Sequence, residues 1–164
     1  MGQCDSSDYA FSVERLHEIF AEVEPHWRDH YAALKTRMEG EGFKVQDYDP
    51  RIDEYFKYSR DGWLKTFVVR FRGVVVGYST IYVTHDMHNR SLIATEDFIY
   101  VTPTHRNGVG RKLTKFLLAE LQRMGVTRLH VTAITDTRAT ILWKRLGFKE
   151  LGTAMIYNFE APNV

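Results

Sequence analysis

The sequence predicts a single α/β domain, and three observations carry that reading. Apolar residues at helical spacing dominate the first third; from Trp63 onward, runs of β-branched and aromatic residues alternate with turns; and the last third reads strand, helix, strand, helix, strand. A length of 164 residues suits one domain with a sizeable core, and 44% apolar with 26% charged residues is ordinary for a soluble globular chain.

Taken in order, Val13, Leu16, Ile19, Phe20 and Val23 recur every three or four residues and predict an amphipathic helix. Pro25 interrupts it, and a second helical stretch is expected to run to about Met38, stopped by Gly40 and Gly42. Asp49-Pro50 forms an N-cap and first-turn pair for a third helix carrying Ile52, Tyr55 and Phe56, which Asp61-Gly62 ends. Thr66 to Phe71, Val74 to Val83 and Ser91 to Val101 then predict three strands of an antiparallel meander, with Gly77 marking a bulge. His85 and His88 fall in the polar turn between the last two of these strands, where a third metal ligand is missing, so a solvated turn is expected there. A helix follows, with Leu113, Phe116, Leu117, Leu121 and Met124 on one face, then a strand over Arg128 to Ile134. Asp136 is the expected cap of a short helix bearing Ala139, Leu142, Trp143 and Leu146, and Met155 to Phe159 is the expected last strand.

Cys4 is the only cysteine, so no disulfide forms within the chain, which points to a reducing compartment, most simply the cytoplasm. No apolar run reaches the roughly 20 residues that span a bilayer. Met1-Gly2-Gln3-Cys4-Asp5-Ser6 fits a loose myristoylation pattern, but Asp5 and Asp8 supply no basic attraction to a membrane, and a chance match is the expectation. Charge is uneven: residues 1–62 hold 8 basic and 14 acidic side chains, and residues 63–164 hold 14 and 7. The first part should repel anions and the second collect them, unless the acids merely decorate solvated helices.

The anion-collecting part has a focus. From Phe98 to Ala119 there is no Asp or Glu, yet Arg106, Arg111, Lys112 and Lys115 are present, with Gly108 and Gly110 between a strand and a helix start. Glycines there admit a ligand close to the backbone, and the free N–H groups of a first helical turn favour an anion, so a phosphate or pyrophosphate is expected on them. The Walker loop fails, because Gly110 is followed by Arg111-Lys112-Leu113; the dinucleotide fingerprint fails, because Leu113 stands where its third glycine belongs.

Val101-Thr102-Pro103-Thr104-His105-Arg106-Asn107-Gly108-Val109-Gly110 instead resembles the pyrophosphate loop V-x-P-x-x-R-x-x-G-x-G of the Gcn5-related N-acetyltransferase (GNAT) superfamily. Arg106 lies two residues before Gly108 rather than three, so either His105 takes the family's Arg/Gln place or Arg106 reaches the phosphates from a shorter loop. Glu96-Asp97-Phe98 resembles the start of the family's fourth strand, and Ala139 to Phe148 its closing pattern, with Asp136 where Asn is common and Trp143 where Tyr is common. The resemblance covers about residues 63 to 160 and implies a mixed, mostly antiparallel sheet flanked by helices. Residues 63–160 would form the acetyl-CoA-binding core and residues 1–62 the helices on the acceptor side.

The resemblance also implies the activity: an acetyl group moves from acetyl-CoA directly to a primary amine, small and cationic or lysine-like, without a metal. Ile99, Tyr100 and Val101 would lie along the cofactor. His105, Arg106, Asn107, Gly108, Val109, Gly110, Arg111 and Lys112 would surround its pyrophosphate, with Asp136 and Trp143 further along it. Transfer requires a neutral amine. With a pKa near 10.4, deprotonation at pH 7 costs about 4–5 kcal/mol, which a positioned base or water relay offsets. Glu96 and Asp97 are the candidate bases; adjacent strand residues face opposite sides unless a bulge intervenes, and the family resemblance favours Glu96. A backbone N–H beside Ile99 to Val101 would polarise the carbonyl. Trp143 donates a hydrogen bond but is no proton source, so Tyr100, Tyr157 or water serves, or the thiolate leaves unaided. Trp143 and Tyr100 also read as core aromatics. Two other classes stay open: a CoA-binding sensor that transfers nothing, and a nucleic-acid partner for the basic cluster. The acceptor is not written in the motifs, and dimers are common in the family.

Overall fold

The computed structural model describes residues 8–134, 137–157 and 159. Its first element is a strand, β1 (Tyr9–Glu14), where the sequence led us to expect helix. The apolar residues Tyr9, Phe11 and Val13 alternate with Ala10, Ser12 and Glu14, and this period of two wins because β1 pairs antiparallel with β2 (Leu64–Phe71), Tyr9 opposite Phe71 and Glu14 opposite Thr66. Val13 therefore leaves the helical stripe. Helix α1 (Leu16–Gly40) buries Leu16, Ile19, Val23 and Trp27. Pro25 does not break it: the buried ridge continues on both sides of the proline, and His26 Nε2 meets Val75 O at 3.0 Å, so tertiary packing carries the helix through. Helix α2 (Ile52–Arg60) begins after Arg51, not at Asp49, and makes no side-chain cap.

The sheet has five strands in the order β1-β2-β3-β4-β5, with β3 (Val74–His85), β4 (Leu92–Val101) and β5 (Arg128–His130). The first four form an antiparallel meander, of which the sequence predicts the three strands β2 to β4 and not β1, and β5 adds parallel to β4 after helix α3 (Val109–Arg123). One face packs against α3, whose Val109, Leu113, Leu117 and Leu121 meet Phe67, Val69, Ile81, Ala94 and Val101. The other packs against α1 and α2, with Trp27, Tyr78, Tyr100 and Val68 at its centre. Each such apolar side chain removed from water contributes roughly 1.5–3 kcal/mol.

Two bulges shape the sheet. Val69 pairs with Gly77 and Arg70 with Val75, which makes Val76 the extra residue beside Gly77. A Cβ on Gly77 would lie 2.8 Å from Tyr100 O and 2.9 Å from Val69 Cγ1 and Val101 Cγ2, so only glycine lets the strands approach there. In the second bulge Thr80 pairs with Phe98 and Ile81 with Glu96, which leaves Asp97 unopposed on β4.

The C-terminal part departs most from expectation. Strand β5 stops at His130 rather than Ile134, and helix α4 (Thr137–Arg145) follows. Among the described residues of 155–159 there is no strand: Met155, Ile156, Tyr157 and Phe159 are exposed and pair with no neighbour in the sheet. Their strand-like composition meets no ladder, because β5 is only three residues long. Asp136 and the Met1–Ser6 motif lie outside the described residues.

Candidate active site

Strands β4 and β5 are paired only from Ile93↔Arg128 to Thr95↔His130. Beyond that point they part, and the remaining half of β4, Glu96 to Val101, has one open edge. Thr102 N–H donates to Val76 O at 2.9 Å on the β3 side. By the alternation of an antiparallel ladder, the N–H groups of Ile99 and Val101 then turn toward the open edge. The split thus carries outward donors along the stretch that the sequence singled out.

Past the end of β4, Pro103–His105 forms one 3₁₀ turn and the chain reaches Gly108, whose φ of 93° needs glycine. The first hydrogen bond of α3 runs from Lys112 N–H to Gly108 O at 3.2 Å, so the N–H groups of Val109, Gly110 and Arg111 precede the ladder. Arg111 and Lys112 are exposed beside them, and no acid lies in this turn. A Cβ on Gly110 would meet only Val101 Cγ2, at 3.9 Å. The fold itself therefore has room for a side chain at Gly110; the open space there suits a ligand on the amides.

The two candidates for a phosphate-side cation point differently. His105 Nδ1 lies 2.8 Å from Tyr9 Oη, and its ring packs on Tyr9 and Phe71, toward the β1–β2 edge. Arg106 donates through Nε to Val101 O at 2.8 Å and lies 5.4 Å over the Tyr100 ring, at the end of β4. Arg106 is thus the cation that stands by the split, while His105 is held elsewhere. Asn107 is exposed in the same turn.

The bulge separates Glu96 from Asp97. It puts Asp97 on the same side as Phe98, facing α2, where Asp97 Oδ2 accepts from Tyr55 Oη at 3.1 Å and from Thr80 Oγ1 at 3.2 Å. Glu96 turns to the opposite side, where Thr132 N–H, just past the end of β5, lies 3.5 Å from Oε2. Glu96 therefore stands in the split itself. Burial lifts its carboxyl from the ordinary 4.5 to about 7, with Asp97 adding in the same direction and the Thr132 N–H opposing. Burial also raises Asp97, against the hydrogen bonds from Tyr55 and Thr80.

Tyr100 is buried beneath the His30 ring, stacked at 5.3 Å, and burial raises its phenol. His30 is lowered to about 4, first by burial and then by Arg37 and Arg106, so its imidazole is neutral at pH 7. Trp143 is buried against Phe148, ring centroids 5.1 Å apart, and its Nε1 has no partner among the described residues. Tyr157 is exposed. Among the described residues no group of three His, Cys, Asp or Glu could hold a metal, and no helix is long and apolar enough to cross a membrane.

The sequence did not reveal a cavity of about 410 Å³ on the α1–α2 face. Its walls come from Trp27, His30 and Tyr31 of α1, residues 46–51, Glu54, Tyr55 and Tyr58 of α2, Tyr78 and Tyr82 of β3, and Phe98 of β4. The helical spacing of Trp27-Tyr31 and of Tyr55-Tyr58 could have shown one half of it. Of the acids in this stretch of the chain, Asp47, Asp49 and Glu54 line the cavity, whereas Asp53 and Asp61 are not among its lining residues.

An open, mostly antiparallel sheet, split at its last pair with a helix N-terminus at the split, is the architecture of the GNAT acetyltransferases. A family model described as the acetyltransferase (GNAT) family matches residues 14–148, and the chain belongs to that family. Its fold is shared with an aminoglycoside acetyltransferase from an uncultured soil metagenomic sample, solved with trehalose (TM-score 0.68, 16% identity, 94% of this chain and 99% of that one). It is shared also with the ribosomal-protein-alanine N-acetyltransferase of Brucella melitensis biovar Abortus 2308 (TM-score 0.67, 15% identity, 93% and 99%). A third likeness is a predicted acetyltransferase from Clostridium acetobutylicum, solved with acetyl-CoA (TM-score 0.63, 14% identity, 92% and 96%). No match was found among curated proteins.

Proposed function

We propose that the protein transfers an acetyl group from acetyl-CoA directly to a primary amine, small and cationic or lysine-like. The observation that carries this reading is the split between β4 and β5, with Glu96 inside it and the open first turn of α3 at its end. The residues present fit acetyl-CoA. The N–H groups of Val109, Gly110 and Arg111 would hold its pyrophosphate, with Arg106, Arg111 and Lys112 as surrounding cations and the space over Gly110 admitting it. When bound, it supplies the activated thioester.

Ile99 or Val101 donates a backbone N–H to the thioester oxygen, where negative charge develops during attack. Glu96 accepts the proton that the amine nitrogen gives up as its bond to the carbonyl carbon forms. A carboxyl with a pKa of about 7 is half ionised at neutral pH and is a stronger base than an ordinary glutamate, which suits that task. The carbon–sulfur bond breaks with its electron pair on sulfur. A thiolate whose pKa lies near the roughly 8.5 of cysteine leaves without a dedicated acid, so neither Tyr100 nor Trp143 is required to supply a proton. The lone cysteine accords with a reducing, cytoplasmic setting.

The test is mass spectrometry of a mixed primary-amine panel incubated with acetyl-CoA and the protein. N-acetylated products are expected. Binding of acetyl-CoA with no product would make the protein a sensor instead.

A further inference from the structure

The cavity against α1 and α2 holds chemistry that the transfer machinery does not use. Its walls are rings: Trp27 stands 4.8 Å from Tyr55, 6.2 Å from Tyr78 and 6.3 Å from Phe98, and Tyr58 lies 6.1 Å from Tyr82. Three carboxylates line it, Asp47, Asp49 and Glu54, against one guanidinium, Arg51. Asp47 is paired with Lys35 and Glu54 with Arg51, and the exposed Asp49 has no ion-pair partner among the described residues. Behind Tyr55 stands Asp97, whose Oδ2 takes both hydrogen bonds and whose Oδ1 takes none among the described residues. Among the described residues no lysine or arginine pairs with Asp97. The Tyr55 hydroxyl donates to Asp97, and Tyr55 itself lines the cavity. Trp27 is 3% exposed and its Nε1 has no partner among the described residues.

Electron-rich faces around an uncompensated carboxylate attract an organic cation more than a neutral or anionic group. We propose that this cavity seats the distal alkylammonium of a diamine acceptor, ringed by Trp27, Tyr55, Tyr78, Tyr82 and Phe98 and favoured by the Asp97 charge behind Tyr55. This rests on the transfer reading, because the other amine of the same molecule is the one presented to Glu96. Phe98 and Asp97 are the link: they face the cavity side of β4 next to Glu96, which faces the split. Asp97 is thus a positioning residue, acting through Tyr55. The aromatic walls suit the methylenes of an alkyl chain, and the Tyr31 and Tyr55 hydroxyls are already committed, to Gln46 O and to Asp97.

The experiment measures binding and turnover separately. Calorimetry compares 1,5-diaminopentane with 1-aminohexane, a neighbour in length that lacks the second charge, on the parent, Asp97→Asn and Tyr58→Leu. The last removes a ring that is 36% exposed and so spares the core. The parent is expected to bind the diamine at least about ten-fold more tightly, Asp97→Asn to cut that preference about five-fold, and Tyr58→Leu about two- to five-fold. Butyltrimethylammonium, which cannot be acetylated, should compete with the diamine for binding. Equal affinity for both amines, or a preference unchanged in both variants, would overturn the proposal. Selective diamine binding without N-acetyl product leaves the cavity assignment standing and defeats the transfer reading. Equal acetylation of both amines does the reverse.

Discussion

Replacing Glu96 by Gln separates the chemical use of this carboxyl from its structural cost. In the folded protein its pKa is about 7, against 4.5 for an ordinary glutamate. At about 1.36 kcal/mol per pH unit the gap corresponds to about 3 kcal/mol. The sign follows from proton binding. Between pH 4.5 and 7 the folded state holds more protons at this site than the unfolded state, so stability falls as pH rises through that window and the full cost is present above it. Glu96→Gln removes the cost. At pH 8 the variant should be more stable than the parent by up to about 3 kcal/mol, and by progressively less as pH approaches 5. Its activity should move the other way. The parent's kcat/KM should rise through about pH 7 as Glu96 ionises; the variant should lose about 10²-fold or more at neutral pH and less at pH 9–10, where more amine is already neutral. Thermal or urea unfolding at pH 5 and 8, together with a pH–rate profile, measures both. A variant with the parent's pH–rate profile, or one less stable than the parent at pH 8, would refute the reasoning.

Three further outcomes are expected. Gly110→Val should abolish CoA binding by calorimetry while the protein keeps its far-ultraviolet spectrum, since a Cβ there meets only Val101 Cγ2; unchanged affinity would remove the pyrophosphate from this loop. Gly77→Ala should destabilise by about 1–3 kcal/mol or more, because the added carbon falls 2.8 Å from Tyr100 O; denaturant unfolding within about 0.5 kcal/mol of the parent would contradict this. The KM for a cationic acceptor should rise between low salt and 0.1 M or above, where screening acts over about 10 Å, because Asp47, Asp49 and Glu54 line the cavity; a salt-independent KM would place those charges outside the acceptor's path.

The meander and α3 were legible because each carries one strong period and a closing glycine or turn. Val109, Leu113, Leu117 and Leu121 recur every four residues, and the structure buries all four. β1 was misread because Val13 fits a helical stripe with Leu16 and also a strand alternation with Tyr9 and Phe11. The pairing with β2, which no local window contains, decides between them. The same holds in reverse for Met155 to Phe159, which have strand composition and, among the described residues, no strand to pair with. In the site, the glycine loop was legible because Gly108 needs a positive φ and Gly110 lies in the first turn of α3. The relation of Glu96 to Asp97 was not, since alternation alone cannot show that a bulge sets Asp97 beside Phe98. The aromatic cavity was hidden because its walls come from α1, α2, β3, β4 and the 46–51 segment, which only the tertiary fold brings together.

The central claim is direct acetyl transfer at the β4–β5 split, and initial-velocity thiol release from acetyl-CoA tests it most directly. With a primary amine varied at several acetyl-CoA concentrations, release should depend on the amine and give intersecting double-reciprocal lines, as a ternary complex requires. Release that ignores the amine, or parallel lines that signal an acetylated enzyme, would contradict it.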